Sequence, residues 1–108
     1  MMTDDGKTIL LDWEYAGNAD PGCDLGAYIM DAMWDVPETD KSIAEYCGEE
    51  YNETLKFHYL AYTAIISYYW YVWALYREAC GAVMGESLYN WHVMAKKYSK
   101  YLVEKYNL

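Results

Sequence analysis

The sequence predicts a mainly α-helical single domain with one short β element at its N-terminus. Three observations carry that prediction. Apolar residues recur at spacings of three and four through four successive stretches, the pattern of helices with one buried stripe. Prolines, glycines and short polar residues punctuate those stretches where helix caps belong. The 108 residues are 55% hydrophobic and 23% charged, a composition that folds, and the length fits one domain.

The β element comes first. Asp5-Gly6 is a two-residue turn signal, since both positions tolerate the positive φ of a type I′ turn. Residues 7–12 then carry the apolar run Ile9-Leu10-Leu11, short enough for a buried strand. The arm before the turn is only Met1-Met2-Thr3, so the expected element is a hairpin remnant and the chain begins inside a supersecondary unit. The plainer alternative is an unordered start.

Asp20-Pro21 opens the first helix as N-cap and first-turn proline, with Leu25, Tyr28, Ile29, Ala32 and Met33 as its stripe. Val36-Pro37 is the expected stop. Thr39 or Asp40 then caps a short helix through Ile43, Ala44 and Cys47, ending at Gly48. A long helix over roughly residues 51–79 stops at Gly81, and the last begins near Glu86-Ser87 with Leu88, Trp91, Met94, Ala95, Tyr98, Leu102 and Val103 inward. Lysines 96, 97, 100 and 105 occupy its later turns, where cations complement the helix dipole. The spacings Gly22-x-x-x-Gly26 and Gly81-x-x-x-Gly85 read as loop and cap residues.

Composition narrows function. The net charge of −9 opposes binding to nucleic acid and electrostatic docking on anionic membranes, and suits cationic ligands and Mg²⁺. Fourteen tyrosines against one phenylalanine give most rings a polar tip, suited to clefts and interfaces. Three scattered cysteines, with no Cys-x-x-Cys pair, read as reduced thiols of a cytoplasmic protein. No signal peptide is recognisable at the N-terminus. Residues 57–76 carry no formal charge and match a bilayer span in length, but six tyrosines with His58, Thr63 and Ser67 favour a central helix of a water-soluble domain.

Asp12 ends the apolar run, where a carboxylate on a rigid element can meet a hard cation such as Mg²⁺ or simply cap the next turn. The stretch DWEYAGNADPGCDLG, residues 12–26, resembles the segment after the catalytic loop in the choline/ethanolamine kinase and aminoglycoside phosphotransferase superfamily, and is most similar to the bacterial choline kinase type. A tryptophan pair on a long helix, then an aromatic-bearing last helix, agrees loosely with that family.

The resemblance implies the helical C-terminal subdomain of a protein-kinase-like fold. Asp12 would be the magnesium-binding aspartate that bridges the metal to ATP phosphates. Asp24 would be a buried structural aspartate that holds the catalytic-loop backbone. Tyr15, Asp31, Trp70, Trp73 and Trp91 would build the quaternary-ammonium pocket. Independent physics supports a pocket of this kind: a trimethylammonium group donates no hydrogen bond and is recognised by ring faces and a carboxylate. Trp70 and Trp73, three apart, share a helix face. Indoles at helical spacing also serve plain core packing.

The superfamily also uses a His-x-Asp-x-x-x-x-Asn loop and a nucleotide lobe. Neither His58 nor His92 begins such a loop, and no phosphate-covering glycine motif occurs. Residues 1–108 are therefore expected to form part of a kinase-like C-lobe, with no catalytic residue of its own. The expected function is that of a fragment of an ATP- and Mg²⁺-dependent phosphotransferase acting on choline or a related amino alcohol, inactive alone and able to self-associate. The alternative is a small acidic helical module that binds protein partners through its tyrosines and has no catalytic activity. Paired tryptophans argue against an aminoglycoside-type pocket, which would be carboxylate-rich.

Overall fold

A computed structural model describes residues 18–108 together with Gly6. The hairpin expected over residues 1–12, and with it Asp12 and Tyr15, lies outside the described residues. What is described is mainly α, as expected: α1 (Pro21–Ala32), α2 (Val36–Cys47), α3 (Glu53–Ala79) and α4 (Glu86–Tyr106), with one 3₁₀ turn at Gly48–Glu50. No strand occurs among the described residues. None of the described helices is long and apolar enough to cross a membrane.

Local signals account for about half of the helix ends. Asp20 caps α1 by accepting the Gly22 N–H at 2.7 Å, and Asn52 caps α3 by accepting the Leu55 N–H at 2.8 Å. Gly48 closes α2 at φ 62°, and Gly81 (φ 99°) follows the last turn of α3, both open to a left-handed backbone without Cβ strain.

Two boundaries correct the sequence reading. α1 ends at Ala32, with Met33 left-handed at φ 54° and the Trp34 N–H reaching back to the Ile29 carbonyl. Methionine is no stop signal, so this turn was not legible. Val36-Pro37 therefore starts α2 rather than stopping α1; proline is tolerated there because first-turn N–H groups lack helical partners anyway. Asp35 is the N-cap residue, and its carboxylate pairs with Lys97 Nζ at 2.5 Å instead of capping. Thr39 and Asp40, expected as caps, lie inside α2.

α3 is the axis of the domain. α1 packs on it through Gly22 and Gly26, which correct their reading as loop residues. A Cβ on Gly26 would come within 3.1 Å of the Tyr62–Thr63 backbone, and one on Gly22 within 2.6 Å of the Tyr62 ring. The two glycines let α1 approach α3 closely. The inward face of α1 is consequently Gly22, Gly26, Ile29 and Met30, while Tyr28, Ala32 and Met33 of the expected stripe are exposed. α4 runs antiparallel to α3: Phe57 meets Tyr106 at one end and Tyr71 meets His92 toward the other.

The core joins Ile29 and Met30 of α1, Ile43 of α2, Tyr59, Leu60 and Ala64 of α3, and Met94, Tyr98 and Leu102 of α4. α3 buries its polar residues by self-satisfaction: Ser67 donates to the Thr63 carbonyl at 2.6 Å and Thr63 to the Tyr59 carbonyl at 2.9 Å. The charge-free run is thus only partly core. α3 packs against α1, α2 and α4, and one side of it, including Ile65, Tyr68, Tyr69, Val72 and Tyr76, faces outward.

Tyr98 is the largest fully buried side chain. Its hydroxyl donates to the Trp34 carbonyl at 2.6 Å, so the 2.5 Å contact with Thr39 Oγ1 has threonine as the donor. Burial pushes the phenol pKa up to about 12, against a lowering by the Thr39 hydrogen bond. Tyr98→Phe should cost about 1–3 kcal/mol, because it strips a buried carbonyl and a buried hydroxyl of their partner. Urea denaturation measures it. The raised phenol favours the folded state fully below pH 10, and that contribution should fade as pH climbs through about 12. The phenylalanine variant should lack this fading.

Candidate functional site

Three helices converge on one aromatic cluster. Trp70 and Trp73 project from successive turns of α3 and meet edge to face, centroids 5.2 Å apart at 77°. Trp91 of α4 lies 5.9 Å from Trp70 and 6.5 Å from Trp73, tilted by 49° and 55°. Its indole N–H donates to Asp31 Oδ1 of α1 at 3.3 Å, which sets the ring's orientation. Trp70 and Trp91 also pack against the core, whereas Trp73 sits farther out.

Four residues assigned to a pocket by resemblance, Asp31, Trp70, Trp73 and Trp91, are therefore in contact, although 60 positions separate the two ends. Asp31 is exposed and belongs to an outer stripe of α1 with Asp24 and Tyr28, spaced four and three residues apart. That stripe corrects one expectation: Asp24 is exposed in the first turn of α1, not buried. Two turns of helix, about 10 Å, separate it from Asp31. Tyr15 and Asp12 belong to the undescribed segment.

Indole faces beside a carboxylate make a cation site, since the ring quadrupole attracts positive charge and the carboxylate adds Coulomb attraction. A resident cation already lies against one of these ring faces. The Arg77 guanidinium lies 5.7 Å from the Trp73 ring centroid. Arg77 was not singled out from sequence, although its place one turn after Trp73 and at the end of the charge-free run was a readable signal.

A second polar pair was not legible at all. His58 Nε2 of α3 lies 2.9 and 3.0 Å from the two oxygens of Asp20, the α1 cap. The His58 hydrogen bond, then the Gly22 N–H, hold the Asp20 carboxyl below its usual value. Thirty-eight positions separate the partners, so no local spacing announces them. Asp20 thus ties the start of α1 to α3 while satisfying the helix end. Its lowered pKa stabilises the fold above the unfolded aspartate value near 4, and that contribution falls away as pH drops through the folded value.

For a metal, the donor set among the described residues is poor: no three His, Cys, Asp or Glu side chains cluster. The magnesium role implied for Asp12 lies outside them. All three cysteines are free, Cys23 and Cys47 half-buried and Cys80 exposed. Burial pushes the Cys47 thiol above its usual pKa, with Glu50 adding to it, so it is a poor nucleophile.

Two outcomes follow from this geometry. Trp70→Ala, which removes a ring packed on the core, should cost about 3–5 kcal/mol by urea denaturation. Trp73→Ala, which removes ring contacts with Trp70 and Trp91 and the Arg77 cation–π contact but no packing on the core, should cost less, about 1–2 kcal/mol. Equal costs would assign Trp73 to packing. Asp20→Asn, which keeps a capping oxygen, should flatten the loss of stability below about pH 4. Comparison of the chain with protein-family models, with curated proteins and with solved structures gives no match.

Proposed function

We propose that this chain is the substrate-side helical part of a choline kinase-like phosphotransferase, in which the tryptophan cluster and Asp31 hold the ammonium group of choline or a related amino alcohol. One observation carries the reading. Residues that a short N-terminal motif leads one to expect in a single pocket, on three different helices, form one connected cluster: the three indoles meet one another and Trp91 reaches the Asp31 carboxylate. Arg77 over Trp73 supports it further, because that ring face already accepts a delocalised cation.

The chain's own contribution is binding and orientation. Indole faces and the Asp31 carboxylate attract the ammonium without demanding a hydrogen bond from it. Holding that end leaves the alcohol hydroxyl directed away from the rings, toward wherever the phosphoryl donor is held. Asp12 would anchor Mg²⁺, which when bound offsets charge on the phosphates of ATP. The acceptor of the hydroxyl proton is not among these 108 residues, which contain no His-x-Asp-x-x-x-x-Asn sequence. Asp24, exposed on α1, would be covered by the catalytic-loop backbone it is thought to hold. Use of ATP and the free thiols fit a cytoplasmic setting.

Choline titration followed by tryptophan fluorescence tests the reading. Saturable quenching is expected with choline and tetramethylammonium and not with sodium at equal ionic strength. Trp73→Ala should abolish it, and Asp31→Asn should weaken it about tenfold, in line with removal of one charge partner at a cation site. The chain alone should show no choline-dependent ATP turnover. A spectrum unchanged by choline refutes the pocket.

A further inference from the structure

Beside the tryptophan cluster, α3 carries an outward apolar face that no described helix covers. Ile65, Tyr68, Val72 and Tyr76 are 59%, 57%, 50% and 65% exposed. Their spacing of three and four keeps them on one side of the helix for about three turns, roughly 16 Å. Together with Tyr69, and with Trp73 at the edge of the tryptophan cluster, they line a hollow of about 550 Å³. Tyr68 also forms one wall of a neighbouring groove of about 520 Å³ between α3 and α4, whose other walls include Tyr71, His92, Lys96 and Lys100. The two depressions form one surface, an apolar floor with a cationic rim.

The rim is the informative part. This is an acidic chain with eight basic residues, and four of them lie on α4. The helix dipole accounts for Lys105 in the last turn, and Asp35 accounts for Lys97. It does not account for Lys96, in the middle of the helix, or for Lys100. Among the described residues neither has an ion-pair partner. Both line the groove one turn apart, with His92 one turn before them.

We propose that this surface docks an acidic amphipathic helix of a partner protein. Apolar side chains of that helix would cover Ile65, Tyr68 and Val72, and carboxylates on its flank would pair with Lys96 and Lys100. An aromatic centre and a charged rim are the usual division of labour in such interfaces. A helix fits because its three or four turns match the length of the face, and because the described residues offer no strand edge to extend. Acidic character follows from the two unpaired ammonium groups. A second copy presenting the same face answers them poorly, since α3 has no carboxylate between Lys56 and Arg77. Glu104, at the end of the groove beyond Lys100, sets the limit of the acidic stretch. This gives the interaction-module alternative a definite partner. The surface borders the ammonium pocket at Trp73, which lines the hollow, but its docking contacts are not those of Asp31, Trp70 or Trp91, and the test below leaves Trp73 unaltered.

The test uses a labelled synthetic helical peptide of about four turns, with leucines on one face and glutamates on the flank, read by fluorescence anisotropy. The whole chain should bind it, and should bind the glutamine-flanked version about tenfold more weakly, with the difference shrinking at high salt. Lys96→Glu with Lys100→Glu should reverse the preference toward a lysine-flanked peptide. Val72→Glu should abolish binding of all three. These positions are exposed, and circular dichroism checks that the variants fold. Equal binding of acidic and neutral peptides, no binding of the acidic one, or indifference to charge reversal overturns the proposal. So does a dimer in sedimentation equilibrium that Val72→Glu dissociates, which would give the face to a second copy.

Discussion

The hydroxyl of Tyr98 is the constraint around which the domain is arranged. A phenol with no access to water must find partners inside the protein, because an unpaired buried hydroxyl is costly. Here the partners are the Trp34 carbonyl, in the connection after α1, and Thr39 of α2. Two directional bonds at one atom fix α4 against both elements in depth and in register. Trp91 lies seven residues, two turns, before Tyr98 on the same side of α4. The register set by the phenol therefore also brings that indole to Asp31 and to the α3 tryptophans.

A second constraint acts on α1. Gly22 and Gly26 remove the side-chain layer that would hold α1 away from α3, so the two backbones approach to a distance that a methyl group at residue 26 would disturb. The hydrogen bonds that Asp20 accepts from the Gly22 N–H and from His58 hold the start of the same helix against the same partner. With α1 fixed in this way, Asp31 reaches Trp91 from its last turn. The cluster is thus assembled from three helices whose relative positions are settled elsewhere, by two glycines, one carboxylate and one phenol.

The long helix α3 serves two unlike surfaces. Its small and self-satisfied residues, Thr63, Ala64, Ser67 and Ala74, face inward where neighbouring helices approach. Its tryptophans gather toward one end, and its tyrosines and branched aliphatics face outward. Absence of charge along the run is compatible with all three. A hydropathy reading cannot separate them, since tyrosine suits half-buried, exposed and interfacial positions alike.

Much of the local architecture was legible from neighbouring residues. Asp20-Pro21, the glycines at 48 and 81 and the spacing of apolar residues act over four or five positions, a range that sequence displays directly. The misread boundary at Met33 shows where that range ends. A left-handed methionine carries no local signal, and its turn is held by where Trp34 must place its carbonyl for Tyr98. For the candidate site, the tryptophans and Asp31 could be singled out from a motif and from helical spacing, but their contact could not.

By itself, then, the sequence determined four helices, some of their caps, an acidic net charge and a set of aromatic and acidic residues at helical spacing. Tertiary structure alone decided that Gly22 and Gly26 are a packing face, that Thr39 is a buried donor, that Asp20 meets His58 and that Arg77 lies over Trp73. The physical reason is range. Propensity and capping are settled within a turn or two of the chain, whereas the register of one helix on another depends on side chains dozens of positions apart meeting in close-packed contact.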